Sequence, residues 1–370
     1  MSEKRWRMTR RDFLQGMTAA AAGMAATAGM PRWAVGAALP GPVNWLSWSV
    51  NQVPEIMQAF QKQYGASVNP INFEDNSEGF IKAKAGGGKQ VDVAQADGTW
   101  PMQYHKAGLI EGLDFKEFSS AEFLDPSFKN LKAWKLPDGK MAQYPYEWSP
   151  AGIIYVKGKV PEPTSWEALW DKKYKGRVAM NDYVEKNILL ASHILGYKGD
   201  LLNTLTKEQL AKCQKLLTDQ KPLVKSYFPS SSDVVKAFAA GEVDIGYATS
   251  VGINLRVKDS GGPECGLFIP KVTHGWIDGN MLMKGAAHRE AGKQWINFFH
   301  APENQFTMAV KTKYPVVNKK SIQMLKDKGY GWLVDAVRME QTEIVQQMLV
   351  IGPPKDMDAW VKAWNEVKAA

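Results

Sequence analysis

The sequence predicts an α/β fold with room for two domains, and three observations carry that expectation. Short apolar runs alternate with helical patterns, which is how strands layered against helices read in sequence. Setting aside a leader-like segment leaves about 330 residues, long for one core and comfortable for two. The run Tyr144-Pro145-Tyr146-Glu147-Trp148-Ser149-Pro150 interrupts the alternation, and a fresh strand pattern follows at Ile153-Ile154-Tyr155-Val156.

Each element has its own warrant. Val43 to Trp48 reads as a strand, and a helix follows from about Pro54 to Tyr64, with proline suited to its first turn and Gly65 to its stop. Ala66 to Phe73 is a second strand. A helix from about Ser77 to Ala85 is expected to stop at Gly86-Gly87-Gly88, ahead of a third strand at Val91-Asp92-Val93-Ala94-Gln95. Gly86-Gly87-Gly88-Lys89 is not a phosphate loop, because it follows a helix and no Ser or Thr comes after the lysine. This βαβαβ series implies a parallel sheet whose strand ends empty into ligand-binding loops, here Trp48-Ser49 and Asp97-Gly98-Thr99-Trp100. Beyond the break come a helix to about Trp170, a strand at Arg177 to Met180, and helices near 188–195, 207–217 and 232–240. Val243 to Ala248, Cys265 to Ile269 and Ile277 to Met283 read as strands, and 289–300 as a helix. The tail from 325 to 368 is mostly helical, with turns at Gly329 and Gly352-Pro353-Pro354.

The first residues bear on location. Thr9-Arg10-Arg11-Asp12-Phe13-Leu14-Gln15 enters an apolar, alanine-rich segment, and Val35-Gly36-Ala37 offers a cleavage site before Ala38. Adjacent arginines, a weakly apolar core and a small-residue exit read as a twin-arginine export signal spanning 1–37, so the expected location is periplasmic. The segment is too short and too interrupted to span a bilayer. Of the net charge of +8, residues 1–37 supply six basic residues against two acids, which leaves about +4 for the rest. The lysines are scattered, so no nucleic-acid partner is expected. Apolar and charged fractions of 45% and 23% are those of an ordinary globular protein. Cys213 and Cys265 could pair in an oxidising compartment or stay as two thiols. Fourteen tryptophans are the compositional oddity, and Trp48, Trp100, Trp148 and Trp276 sit beside turn or polar residues. Such side chains build either a core or an aromatic box around a small ligand.

Several ordered segments resemble one family, the substrate-binding proteins of ABC importers in the spermidine/putrescine-binding group. Pro163-Thr164-Ser165-Trp166 with Leu169-Trp170-Asp171 and Lys173-Tyr174-Lys175-Gly176-Arg177-Val178 is the most specific stretch. Gly241-Glu242-Val243-Asp244-Ile245-Gly246-Tyr247, Trp276-Ile277-Asp278, Ala301-Pro302-Glu303 and Tyr314-Pro315-Val316-Val317-Asn318 add to it. The resemblance implies a two-lobed, type II periplasmic-binding fold that closes on a solute in the cleft. It implies an N-terminal lobe of 42–146 and 276–318, and a C-terminal lobe of 147–275 and 319–370. It also implies a monomer without cofactor or metal, working with an ABC permease in the inner membrane on a small, polyamine-like amine.

Carried over residue by residue, Trp48 and Ser49 match the family's Trp-Ser after the first strand, and Asp278 matches its amine-gripping aspartate. Asp182 with Tyr183 falls on the acidic loop after a second-lobe strand. Tyr247 lies in the aromatic region before Thr249, and Tyr314 in the segment lining the cleft. Asp97 with Trp100 replaces the usual Ser-Asp-Tyr, so a carboxylate survives at altered spacing. Val50 and Asn51 stand where an acid and a tyrosine are usual. The glutamate expected beyond the acidic loop aligns with Lys186, or with Glu185 after a one-residue shift, and a lysine there would repel a diamine terminus. Each candidate has a plainer role. Asp278 could cap a turn before Gly279, Asp182 could cap a helix, Asp97 could be an ordinary loop acid, and Trp48, Tyr247, Trp276 and Tyr314 could be core. Glu147 and Trp148 mark the crossing rather than the ligand. A different class, an exported enzyme, lacks a Gly-x-Ser-x-Gly elbow, a His-Glu-x-x-His zinc motif or a dinucleotide fingerprint. The histidines at 105, 193, 274, 288 and 300 show no metal-ligand spacing. An amino-acid-like solute, an anion or Fe³⁺ on the same fold stays open, although no Tyr-Tyr pair occurs.

Overall fold

A computed structural model describes residues 39–129 and 131–370; the export signal expected at 1–37 lies outside the described residues. In chain order the main elements are β1 (Val43–Trp48), α1 (Pro54–Tyr64), β2 (Val68–Phe73), α2 (Asn76–Gln90), β3 (Val93–Asp97) and α3 (Pro101–Lys106). Then come β4 (Tyr144–Pro150), β5 (Gly152–Val156), β6 (Val178–Asn181), α4 (Val184–Ile194), α5 (Lys207–Gln220), β7 (Val224–Phe228), α6 (Ser231–Ala239) and β8 (Ile245–Ala248). The chain continues with α7 (Ile253–Asp259), β9 (Cys265–Phe268), β10 (His274–Leu282), α8 (Arg289–Phe299), α9 (Pro302–Thr312), α10 (Lys319–Asp327) and α11 (Gly331–Ala336). It closes with β11 (Leu349–Val350) and α12 (Met357–Ala369).

Two sheets organise these elements. The first runs β11-β10-β3-β1-β2, with β4 also paired to β10, and the second runs β7-β6-β8-β5-β9. β1 is parallel to β2 and β3, while β10 is antiparallel to β3 and β4. In the second sheet β6 is parallel to β7 and β8, and β5 is antiparallel to β8 and β9. Successive strand residues face opposite ways, so Ile153 and Tyr155 enter the apolar layer on one face of this sheet, and Ile154 and Val156 the layer on the other. The first core is strongly aromatic, with the Trp45 and Trp295 rings edge to face at 5.1 Å. Among the described residues no helix is long and apolar enough to cross a membrane.

Three segments join the two sheets: β4 into β5 at Ala151, β9 into β10, and β11 into α12. They are bonded side by side, Ala151 N–H donating to His274 O at 2.8 Å, Leu349 N–H to Thr273 O at 3.0 Å and Ile351 N–H to Gly275 O at 2.9 Å. The first crossing therefore falls at 150–151, four residues later than expected, because β4 stays paired to β10 up to Pro150.

Residues 319–350 also differ from expectation. Ile322, Leu325, Leu333, Val337, Val345 and Met348 are buried in the first sheet's core, not the second's. The turn at Asn318 explains this: its Oδ1 accepts from Ser321 N–H at 3.0 Å and its Nδ2 donates to His300 O at 3.0 Å, folding α10 back beside α9. Only α12 joins the second unit, where Trp360 and Trp364 pack with Leu210, Cys213 and Leu217. The glycine run does not stop α2, which resumes to Gln90 after a break at Gly87 with φ 53°. Cys213 and Cys265 are two separate buried thiols.

Candidate ligand-binding site

Parallel strands direct the loops at their C-terminal ends to one edge, and here the two sheets turn those edges toward each other. Between them lies a cavity of about 130 Å³. That is close to the roughly 150 Å³ of an engineered cavity that takes benzene, so it suits a compact solute. The first sheet contributes Trp48, Ser49 and Val50 from β1, Glu74, Asp75 and Asn76 after β2, Asp97 and Trp100 at β3, and Trp276 and Asp278 from β10. The second contributes Tyr183, Glu185 and Lys186 after β6, Ser230, Ser231 and Ser232 after β7, Thr249 after β8, and Arg256 on α7. Tyr314, Ile351 and Gly352 complete the lining.

The chemistry concentrates on β10. Asp278 is registered against Asp97 of β3 on one side and Glu147 of β4 on the other. Three carboxylates thus form a row across three strands, with Asp97 5%, Asp278 7% and Glu147 0% exposed. Like charges opposite one another oppose sheet pairing, and burying them unpaired is costly. Among the described residues no basic group lies within 4 Å of any of the three carboxylates. Asn76 holds Asp97, its Nδ2 donating to Oδ1 at 2.7 Å while Asp97 N–H donates back at 3.2 Å. Tyr146 O–H donates to Asp278 at 3.4 Å, and Thr312 O–H to Glu147 at 2.8 Å.

Protonation is the row's response. Burial, then the charges of Asp97 and Glu147, hold the Asp278 carboxyl well above the ordinary range, against Lys186 and the Tyr146 bond. Burial likewise raises Asp97, opposed by Lys186 and Asn76. It pushes Glu147 up to about 8 against the Thr312 bond and the Arg256 charge. Glu185, whose carboxyl is enclosed although part of the residue faces the cavity, is raised by burial to about 7.

Aromatic faces frame the acids. Trp276 donates its indole N–H to Thr249 O at 2.8 Å and meets Tyr314 edge to face at 5.2 Å. Trp48 packs on Phe73 at 4.3 Å, and its indole nitrogen is buried without a partner. The turn after β3 interlocks with the third crossing: Gly98, at φ 59°, lies so close to Ile351 that a Cβ would come within 1.9 Å of its carbonyl oxygen. Thr99 N–H donates to that same oxygen at 2.9 Å.

Nine of the expected site residues therefore meet at one cavity: Trp48, Ser49, Asp97, Trp100, Tyr183, Glu185, Trp276, Asp278 and Tyr314. Asp278 caps no turn; it is interior to β10. Two lie elsewhere. Asp182 accepts from Trp364 Nε1 at 2.6 Å and from Lys368 Nζ at 2.9 and 3.0 Å, tying α12 to the exit of β6. Tyr247 is fully buried, its O–H at 2.6 Å from His274 Nε2 and its ring stacked on Trp166. Glu74, Asp75 and Asn76 were missed although they follow a recognised strand, where the rule that found Trp48 and Asp97 applies equally. Ser230 to Ser232 were missed with β7, and a lone Arg256 on a short helix leaves no local signal.

Residues 55–331 match the profile of the family described as bacterial extracellular solute-binding protein. The chain belongs to that family. Relatives of this solute-binding protein include the putrescine/agmatine-binding protein of Pseudomonas aeruginosa, 24% identical over 300 residues that cover 77% of this chain and 81% of the relative. Two solved structures share its fold. One is provisionally described as a spermidine/putrescine ABC transporter from Listeria monocytogenes, with TM-score 0.76, 22% identity, and coverage of 89% of this chain and 98% of that one. The other is the spermidine/putrescine ABC transporter substrate-binding protein of Streptococcus pneumoniae, with TM-score 0.73, 21% identity and coverage of 89% and 98%. The fold is the type II periplasmic-binding architecture expected from the resemblance, and substrate-binding proteins of ABC importers bind small solutes and work with a permease.

Proposed function

We propose that this solute-binding protein captures a small amine outside the cytoplasm by closing its two lobes, and delivers it to an ABC permease of the inner membrane with no covalent step. The observation that carries this reading is the pair Asp97 and Asp278 on the cavity wall, with Glu147 buried behind them in the same row, aromatic faces beside the pair and no basic partner within ion-pair distance among the described residues. An ammonium group entering the cavity supplies the missing counter-charge, with Trp48, Trp276 and Tyr314 offering cation–π faces. The names of the relatives, putrescine/agmatine and spermidine/putrescine, support a polyamine-like amine. The Arg10-Arg11 pattern ahead of an apolar, alanine-rich segment supports export through the twin-arginine route to the periplasm, where the protein works as a monomer.

The test is a thermal-shift panel of amines, sugars and oxyanions on the mature chain, followed by calorimetry and solution scattering. A ligand that binds only the folded state adds about 2.7 kcal/mol of stability at a hundredfold excess over its Kd. Amines should give a clear rise and a smaller radius of gyration. A rise confined to sugars or oxyanions would refute amine capture.

A further inference from the structure

The two walls of the cavity carry opposite charge. Glu74, Asp75, Asp97 and Asp278 all belong to the first sheet and its loops, whereas the basic groups, Lys186 and Arg256, stand on helices of the second unit. Among the described residues neither cation has a carboxylate within ion-pair distance. Lys186 Nζ sits 4.1 Å over the Tyr183 ring, and the Arg256 guanidinium 5.2 Å over the Tyr314 ring. Arg256 Nη2 donates to Ser250 Oγ at 3.3 Å, and its Nε is buried with no acceptor.

Lys186 is also placed against its own helix. It lies in the first turn of α4, whose N-terminus carries partial positive charge and favours anions. α6 begins at the same wall, with Ser231 and Ser232 in its first turn. Two side-chain cations and two helix N-termini converge on one side; Asp233 in the first turn of α6 is engaged by Ser230 and Lys236, and among the described residues the one acid of this wall that lines the cavity is Glu185. Burial raises that acid to about 7, so it offsets only part of their charge near neutrality.

We propose that the solute is a zwitterion, an amine bearing a carboxylate, with its ammonium at Asp97 and Asp278 and its carboxylate between Lys186 and Arg256. This rests on the amine-capture reading and narrows it. A diamine satisfies the first wall, but its second ammonium meets Lys186, Arg256 and the helix N-termini, and like-charge juxtaposition is strongly penalised. A carboxylate in the same position gives Arg256 Nε the acceptor it lacks and compensates both cations.

Calorimetry on the mature chain with matched probes tests this. 1,4-Diaminobutane, 4-aminobutanoate and butanoate share one carbon skeleton and differ only at their ends. The amino acids are then extended from three to six carbons and to α-amino acids of equal length. At least one amino acid should bind about a hundredfold tighter than the diamine of matching length. Lys186→Met should weaken that amino acid about tenfold or more and leave the diamine unchanged or tighter, whereas Asp278→Asn should weaken both. If the diamines bind as tightly as every amino acid tested, or if Lys186→Met leaves amino-acid binding intact, the zwitterion assignment fails while amine capture stands. If the amine-free carboxylate of matching length binds as tightly as the best amino acid, both fail.

Discussion

Replacing Asp278 by asparagine should make the unliganded protein more stable and a poorer binder. The side chain keeps its shape, and its amide oxygen still accepts from Tyr146. What disappears is the central charge of the row. Registered antiparallel neighbours sit about 5 Å apart, and two unit charges at that distance in an effective dielectric of about 20 repel by about 3 kcal/mol. Near pH 7 Glu147, raised to about 8, is mostly protonated, so Asp97 supplies most of that repulsion. Because both aspartates already escape part of it by holding protons, the net gain is about 1–2 kcal/mol, read as a shift in the urea midpoint at unchanged slope. Removing one partner of a buried charge pair costs about 2–5 kcal/mol in binding, or about thirtyfold to several thousandfold in Kd. Calorimetry with the amine that binds the parent most tightly measures it. A variant that is less stable than the parent, or that binds equally well, would refute the claim that the row is uncompensated until the solute arrives.

Other expectations follow from the same geometry. Unliganded stability should fall by about 2–3 kcal/mol from pH 6.5 to 8.5 in urea titrations: folded Glu147 keeps its proton up to about 8 and folded Glu185 up to about 7, while the unfolded chain has released both near 4.5, so the folded state holds more protons across that window. Below 6.5 the buried histidines, His193 and His300 lowered to about 4 by burial, push the other way, because the unfolded chain charges them first; Glu147→Gln should make the alkaline limb shallower. Amine affinity should rise over the same alkaline window, as capture favours the ionised row; a pH-independent Kd from 6 to 8 would contradict this. Gly98→Ala should cost more than about 2 kcal/mol in thermal unfolding, combining a left-handed backbone with a Cβ driven against Ile351. Asp182→Asn should cost about 1–2 kcal/mol through its weakened bonds to Trp364 and Lys368 yet leave affinity unchanged, which separates a tether from a ligand contact.

The strands that build the site were readable where local pattern and position agree. β1 and β3 are short apolar runs ending in Trp48 and Asp97, and the rule that parallel strands empty into loops at one edge leads to two residues that line the cavity. β7 escaped because Val224-Lys225-Ser226-Tyr227-Phe228 mixes exposed and half-buried positions at the sheet edge, so its apolar signal is weak, and Ser230–Ser232 were lost with it. Asp182 follows a recognised strand as well, but its partners lie on the last helix, 182 positions from Trp364. No local pattern reveals a claim made from that far away. The same holds for the row itself: Asp97, Glu147 and Asp278 become neighbours only through sheet register, and their shared burial is a property of the assembled sheet. The assignment of 319–350 to the second unit failed for a related reason. Amphipathic helices announce that they have an apolar face without saying which core receives it.

The three bonded crossings constrain how the molecule can move. A single strap between two bodies would let them swivel, slide or drift; a flat band of neighbouring strands bends easily across its width and resists stretching and sideways slip. Capture then follows essentially one coordinate, and little disorder has to be frozen out when a solute arrives. Because Ile351 and Gly352 belong both to that band and to the cavity lining, a solute held in that cavity would rest against the axle itself, where a small change in local backbone angle is magnified at the distant rims a permease would grasp.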